Sequence, residues 1–101
     1  MKATRVQYTA RAEFVEENKK NIEAVMRELR AQNNSDVRYA VYVHDDGRTF
    51  MHFAQHNSVE AERFPTSLES FRHFQTRLKE NLEAAPKVEK FALVASSAPI
   101  F

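Results

Sequence analysis

The chain opens on an alternation. In TRVQYTARA, Val6, Tyr8 and Ala10 fall on one side and Arg5, Gln7, Thr9 and Arg11 on the other, the period of a half-buried strand. In FVEENKKNIEAVMRELRAQNN the period changes. Ile22, Val25, Met26 and Leu29 recur at i, i+3, i+4 and i+7, the apolar stripe of an amphipathic helix. Glu13, Glu16 and Glu17 gather near its start and Arg27 and Arg30 near its end, signs that suit the helix dipole. Asn33-Asn34-Ser35 closes it.

DVRYAVYVHDDGRTFMHFAQH carries aromatic and β-branched residues on both sides of Asp46-Gly47, which predicts a hairpin with a two-residue type I′ turn. That register sets Val43 opposite Phe50, Tyr42 opposite Met51 and Val41 opposite His52. Tyr39, Val41, Phe50, His52 and His56 then share one face, and Tyr42, Met51 and Phe53 share the other. SVEAERFPTSLESFRHFQTRLKENLEAAP predicts helix in two pieces: a short turn after Ser58, a break at Pro65, then a main helix. Thr66 and Glu69 form its capping box, Leu68, Phe71, Phe74, Leu78 and Leu82 its apolar face, and Pro86 its end. KVEKFALVASS alternates as a last strand ending near Ser96, and 96–101 form a short tail. Ile100 and Phe101 are too apolar for a free tail and are expected to pack across a partner subunit or over the sheet edge.

The order β-α-β-β-α-β is the ferredoxin-like arrangement, an α+β sandwich with one antiparallel sheet and both helices on one face. Residues 1–101 read as one domain of this kind. The second sheet face has no helix to cover it, yet it carries Tyr42, Met51 and Phe53. A homodimer that pairs two sheets would bury them.

Fifteen basic and fourteen acidic side chains, interspersed, give a net charge of +1, so no field draws the chain to nucleic acid or an anionic membrane. No apolar run reaches the ~20 residues of a membrane span, and the N-terminus lacks the apolar core of a signal peptide. A cytoplasmic protein is expected. Zero cysteines remove disulfides and thiol chemistry, and a single glycine leaves no phosphate-cradling loop.

Three of the four histidines lie in HDDGRTFMHFAQHNS, with His52 and His56 four apart. On a helix that spacing could share a zinc ion. On a strand, four residues span ~13 Å, too far for both imidazoles to reach one metal. The hairpin pattern places them on a strand, so no metal site is expected. Each is either a partly buried histidine bonded to backbone or a nearby tyrosine, or part of a ligand pocket under the helices. In that second role His52 or His56 would serve as general base or orienting donor. Tyr8 and Tyr39 line the same face, as core aromatics or as partners of a phenolic or quinonoid ligand.

The stretch DDGRTFMHFAQHNSVEAERF resembles the small ferredoxin-like dimers of the antibiotic-biosynthesis monooxygenase superfamily, the dimeric α+β barrels. The resemblance rests on Asp46-Gly47, on Phe53-Ala54-Gln55-His56 and on Ser58-Val59-Glu60-Ala61. It implies a homodimer with an apolar pocket between sheet and helices. It also implies a cofactor-independent monooxygenase-like activity on a small hydrophobic or aromatic molecule, with no cofactor, or else a non-catalytic structural or ligand-binding homodimer. Haem-degrading relatives carry a histidine on the second main helix, which points to His73 as a further pocket residue. Monooxygenases of this type place an Asn and a Trp four apart on the strand where this chain has His52 and His56, and Asn34-Ser35-Asp36 replaces a frequent Pro-Gly.

Overall fold

Apolar alternation and helical stripes assemble as the element order requires. The computed structural model describes residues 1–101, with strands β1 (Lys2–Thr9), β2 (Val37–Val43), β3 (Thr49–His56) and β4 (Lys87–Ala92) and helices α1 (Val15–Gln32), α2 (Val59–Arg63) and α3 (Glu69–Lys79). Short 3-10 turns at Ala12–Phe14 and Phe64–Ser67 lead into α1 and follow α2. The strands form one antiparallel sheet in the order β2-β3-β1-β4, the ferredoxin-like topology. No helix is long and apolar enough to cross a membrane.

The core lies between this sheet and the two long helices. Tyr8 and Phe50 of the sheet meet Phe14, Val25 of α1 and Leu68, Phe71, Phe74 and Leu78 around α3. Each such large side chain contributes ~1.5–3 kcal/mol by leaving water. Two contacts clamp α1 to α3. Arg77 grips Glu17 through Nε at 2.7 Å and Nη2 at 3.1 Å, and the Glu28 carboxylate accepts from the Ser70 N–H and hydroxyl.

The pairing of β2 with β3 follows the expected register, with Val43 opposite Phe50 and Val41 opposite His52. The turn differs. Only Gly47 has positive φ, at 72°, so the two-residue type I′ geometry is absent. His44 N–H instead donates to Thr49 O and Gly47 N–H to His44 O, enclosing a four-residue loop. Asp46 makes that loop possible: its Oδ1 accepts from the N–H groups of Arg48 and Thr49, and its Oδ2 from the Thr49 hydroxyl. An Asx side chain at this point competes with the backbone for those donors. The same carboxylate is pulled down to a pKa of about 2 by those bonds, the Thr49 hydroxyl first.

Helix ends are decided by local hydrogen bonds. Asn33 adopts the left-handed conformation at φ 50° and its N–H donates to the carbonyls of Leu29 and Arg30, closing α1. Ser58 caps α2 by accepting from Ala61 N–H. The expected Thr66–Glu69 capping box does not form. Pro65 places Phe64–Ser67 in a 3-10 turn, and the Thr66 hydroxyl donates back to Arg63 O, so Leu68 occupies the N-cap without a side-chain bond. Glu28, reaching across from α1, takes over the capping. α3 also ends earlier than Pro86. Lys79 is its last residue, and Ala10 pairs with Leu82 in an isolated bridge just beyond.

The last strand stops at Ala92 rather than near Ser96. β1 begins at Lys2, the partner of Ala92, so no strand remains beside Leu93 onward.

Candidate functional site

The helix-facing side of β3 puts His52 at the centre of an aromatic enclosure. Its ring centroid lies 5.3 Å from Tyr8, 5.8 Å from Tyr39 and 5.1 Å from Phe74. These come from four elements: β3 for His52, β1 for Tyr8, β2 for Tyr39 and α3 for Phe74. Strand alternation alone brings the first three onto one face. Both imidazole nitrogens are engaged, Nε2 with Tyr8 Oη at 2.7 Å and Nδ1 with Tyr39 Oη at 2.8 Å. Behind Tyr8, Asn18 Nδ2 donates to its hydroxyl at 3.0 Å.

Burial governs the electrostatics. His52 is only 5% exposed, and the loss of water around an imidazolium lowers its pKa to about 3. Burial likewise drives the Tyr8 and Tyr39 phenols well above their ordinary value. The group is therefore neutral across the physiological range, and its members act as hydrogen-bond donors and acceptors rather than as charges.

One side of His52 is packed. Ile22, Val25 and Met26 close on it with no room for water. Its other side opens on a cavity of about 230 Å³ lined mostly by apolar groups, among them Val6, Phe71, Leu78, Leu82 and Val88, with Tyr8, Tyr39 and His52 as a convergent polar group and Gln75 and Lys79 as further polar lining. A larger cleft of about 360 Å³ between the end of α1 and β2 holds Arg30, Asn33, Asn34 and Arg38 and touches Tyr39 but not His52. Its lining is more polar, and only the smaller cavity joins apolar walls to a convergent hydrogen-bonding group, the usual makeup of a small-molecule site.

His56 does not share this cavity. It is equally buried, but it sits at the far end of β3, paired with Lys2 and Val37. Its Nε2 is 3.3 Å from Thr4 Oγ1. The clefts it lines are bounded by Lys2 and Glu62, and Glu62 receives Lys90 at 2.8 Å. His73 departs further from expectation. It is exposed on α3 and is not among the cavity-lining residues; Phe74, the next residue, is the one that faces His52. No group of three or more His, Asp or Glu side chains comes together in a way that could hold a metal ion.

Tyr42 is exposed, and Met51 and Phe53 are half-buried on the opposite sheet face. The register runs Ala40–Phe53–Arg5–Glu89 across this face, and Arg5 is ion-paired with Glu89.

The residue that sequence reasoning missed is Asn18. It is wholly buried and sits four residues from Phe14 and four from Ile22, a polar residue on the apolar stripe of α1. That interruption of the stripe was the available signal.

No model of a known protein family matches the chain, and no curated protein matches it. Solved structures do. Rv0793 from Mycobacterium tuberculosis is 17% identical, with 96% of this chain and 98% of that chain covered, at a TM-score of 0.80. An antibiotic biosynthesis monooxygenase structure is 11% identical over 94% of this chain and 100% of that chain, also at 0.80. SnoaB, a cofactor-independent oxygenase from Streptomyces nogalater, is 13% identical over 97% and 98%, at 0.71. At these identities the likeness is one of fold, and it spans both chains almost end to end. The resemblance read from Asp46-Gly47 and Phe53-Ala54-Gln55 holds at that level: this chain folds as the antibiotic biosynthesis monooxygenases do.

Proposed function

We propose that the protein, as a homodimer, binds a small hydrophobic aromatic molecule bearing oxygen in the cavity beside His52, and acts on it as a cofactor-independent monooxygenase-like protein. The observation that carries this reading is the Tyr8–His52–Tyr39 group set in the wall of an apolar cavity. Apolar walls supply affinity and a few fixed polar atoms supply orientation. A dry cavity of ~150 Å³ admits benzene, so about 230 Å³ accommodates one or two fused rings.

The likeness to SnoaB, described as a cofactor-independent oxygenase, supports the choice of reaction. In such a reaction the substrate is its own reductant. A ring-flanked CH₂ takes up O₂ and becomes a carbonyl, and the second oxygen atom leaves with the two hydrogens as water. The part of His52 is to hold the two phenols in place. A general base works best with a pKa near the operating pH, and His52 lies far below that at about 3.

That depressed pKa, with both nitrogens occupied, favours a second reading: a ligand-binding homodimer without catalysis. The two separate in one experiment. Purified protein is given anthrones and hydroquinones in air, with oxygen uptake, product chromatography and calorimetric binding followed in parallel. Oxygen uptake above the buffer rate that is lost in His52→Phe supports the oxygenase. Saturable binding without uptake supports the second reading, and absence of both overturns the cavity as a site.

A further inference from the structure

A hydrogen-bonded chain runs through the core from Asn18 to Tyr8, His52 and Tyr39, with links of 3.0, 2.7 and 2.8 Å. A neutral imidazole has one N–H and each phenol one O–H. Three hydrogens are thus available for the two links that flank His52. One is surplus, and its location decides what the site offers a ligand.

Asn18 fixes the location. Its Oδ1 is buried with no partner. Turning the amide over would set an NH₂ group, with two donors to satisfy, in the place of that unpartnered oxygen, and orphaned buried N–H groups are rarer than under-satisfied carbonyls. Asn18 therefore donates to Tyr8 Oη. Tyr8 is buried, stacked on Phe50 at 5.6 Å, and its own hydrogen has His52 Nε2 as acceptor. Nδ1 then carries the imidazole hydrogen and donates to Tyr39 Oη. The Tyr39 hydroxyl hydrogen is left over, and Tyr39 is the less buried of the two phenols and lines the cavity.

We infer that Asn18 polarises this chain outward, so that Tyr39 presents a free O–H to the cavity and the site selects ligands offering an acceptor oxygen, a quinone or ketone carbonyl or a phenolate. This rests on the cavity being the binding site and goes beyond it by naming the ligand's chemistry. Tyr39 touches the ligand, while Asn18 and Tyr8 are positioning residues that act through His52.

Two measurements test it. Nitrogen-15 spectra of imidazole-labelled wild-type protein report the tautomer directly and need no variant. The expected result is a pyrrole-like Nδ1 and a pyridine-like Nε2 for His52, with Asn18→Leu giving a mixture; the reverse tautomer in the wild type overturns the inference. Binding of 1,4-naphthoquinone and naphthalene, two probes of similar outline, is then compared in wild type and Tyr39→Phe. Loss of one neutral hydrogen bond should lower the quinone-to-naphthalene preference by roughly three- to tenfold in the variant. An unchanged ratio overturns the acceptor selectivity while the cavity stands as a binding site. Binding of neither probe overturns the cavity itself, and the selectivity with it.

Discussion

Tyr8 and His52 are diagonal neighbours across the β1–β3 ladder. Tyr8 pairs directly with Phe50 and His52 with Val6, yet the Tyr8 hydroxyl and His52 Nε2 stand 2.7 Å apart. Residues two apart on facing strands are ~7–8 Å apart at Cα, within reach of aromatic side chains. Tyr8 also stacks on Phe50 at 5.6 Å, and His52 is left only 5% exposed. Its imidazole therefore remains neutral where an exposed one would gain a proton.

That has a pH consequence with a definite sign. The folded-state pKa of His52 is lowered to about 3 from 6.5, so the unfolded chain binds the proton first. Stability from keeping this ring neutral is fully present above pH 6.5 and is lost as pH falls toward 3. The slope within that window is about 1.4 kcal/mol per pH unit. Asp46, with its pKa of about 2, acts in the same direction at lower pH. Urea unfolding at pH 7, 5.5 and 4.5 should show wild type losing stability faster than His52→Phe, although the variant starts lower. Parallel losses would mean that His52 already titrates in the folded protein.

Glu28 is expected to matter more than its place on α1 suggests. Its carboxylate accepts from both the N–H and the hydroxyl of Ser70, doing for α3 what a local cap does elsewhere. Glu28→Ala should lower the thermal midpoint by roughly 4–8 °C, as loss of a helix cap does in a domain of this size. Thr66→Ala should stay within about 0.5 kcal/mol, because Thr66 bonds only to Arg63 O at the surface. Calorimetry on the two variants decides which residue caps the helix.

The contrast shows what a linear reading can reach. Periodicity carried the elements and the β2–β3 register because a one-residue slip would turn Phe50 and His52 out to solvent. Turn and cap chemistry was less legible. Asp46-Gly47 has the composition of a type I′ turn, but the Asp46 carboxylate captures the N–H groups of Arg48 and Thr49. The cap on α3 comes from Glu28, 42 positions away from Ser70, and no local pattern reports that. The site divides in the same way. Tyr8, Tyr39 and His52 were predicted on one face and are found there. The separation of His56 depends on how far the helices extend along the strand, and the exposure of His73 on the rotation of α3 about its axis. Asn18 is a single polar residue whose meaning appears only when Tyr8 is beside it.

The uncovered sheet face leads to a prediction about assembly. Phe53 and Met51 are half-buried, Tyr42 is 59% exposed, and the buried Arg5 Nε in their midst has no hydrogen-bond partner. A second sheet against this face would bury the apolar groups, each worth ~1.5–3 kcal/mol. Phe53→Asp would remove the ring and bring a carboxylate, a group costly to bury, into the seam beside Arg5. Analytical ultracentrifugation of the wild type should give a dimer, and Phe53→Asp should shift it to monomer or unfolded chain. A variant that sediments as an unchanged dimer would place the interface elsewhere.

The tail provides the last test. Beyond Ala92 the chain leaves the β4 edge, where Leu93 N–H still donates to Met1 O, and reaches the opposite edge of the sheet. There the Phe101 ring lies 5.0 Å from the Arg38 guanidinium of β2, and Ile100 and Phe101 are partly buried although Val94 between the two edges is 99% exposed. Crossing three strand spacings takes ~14 Å, well within the reach of this segment. The tail is thus a strap fixed at its end, and an exposed cation–π contact of this type contributes ~0.5–1 kcal/mol. Removing residues 98–101 should lower the thermal midpoint by roughly 2–8 °C. Arg38→Ala should reproduce much of that fall in the full chain and add little in the truncated one, since both changes remove the same contact. Additive effects, or an unchanged midpoint on truncation, would mean that the tail does not hold Arg38 in solution.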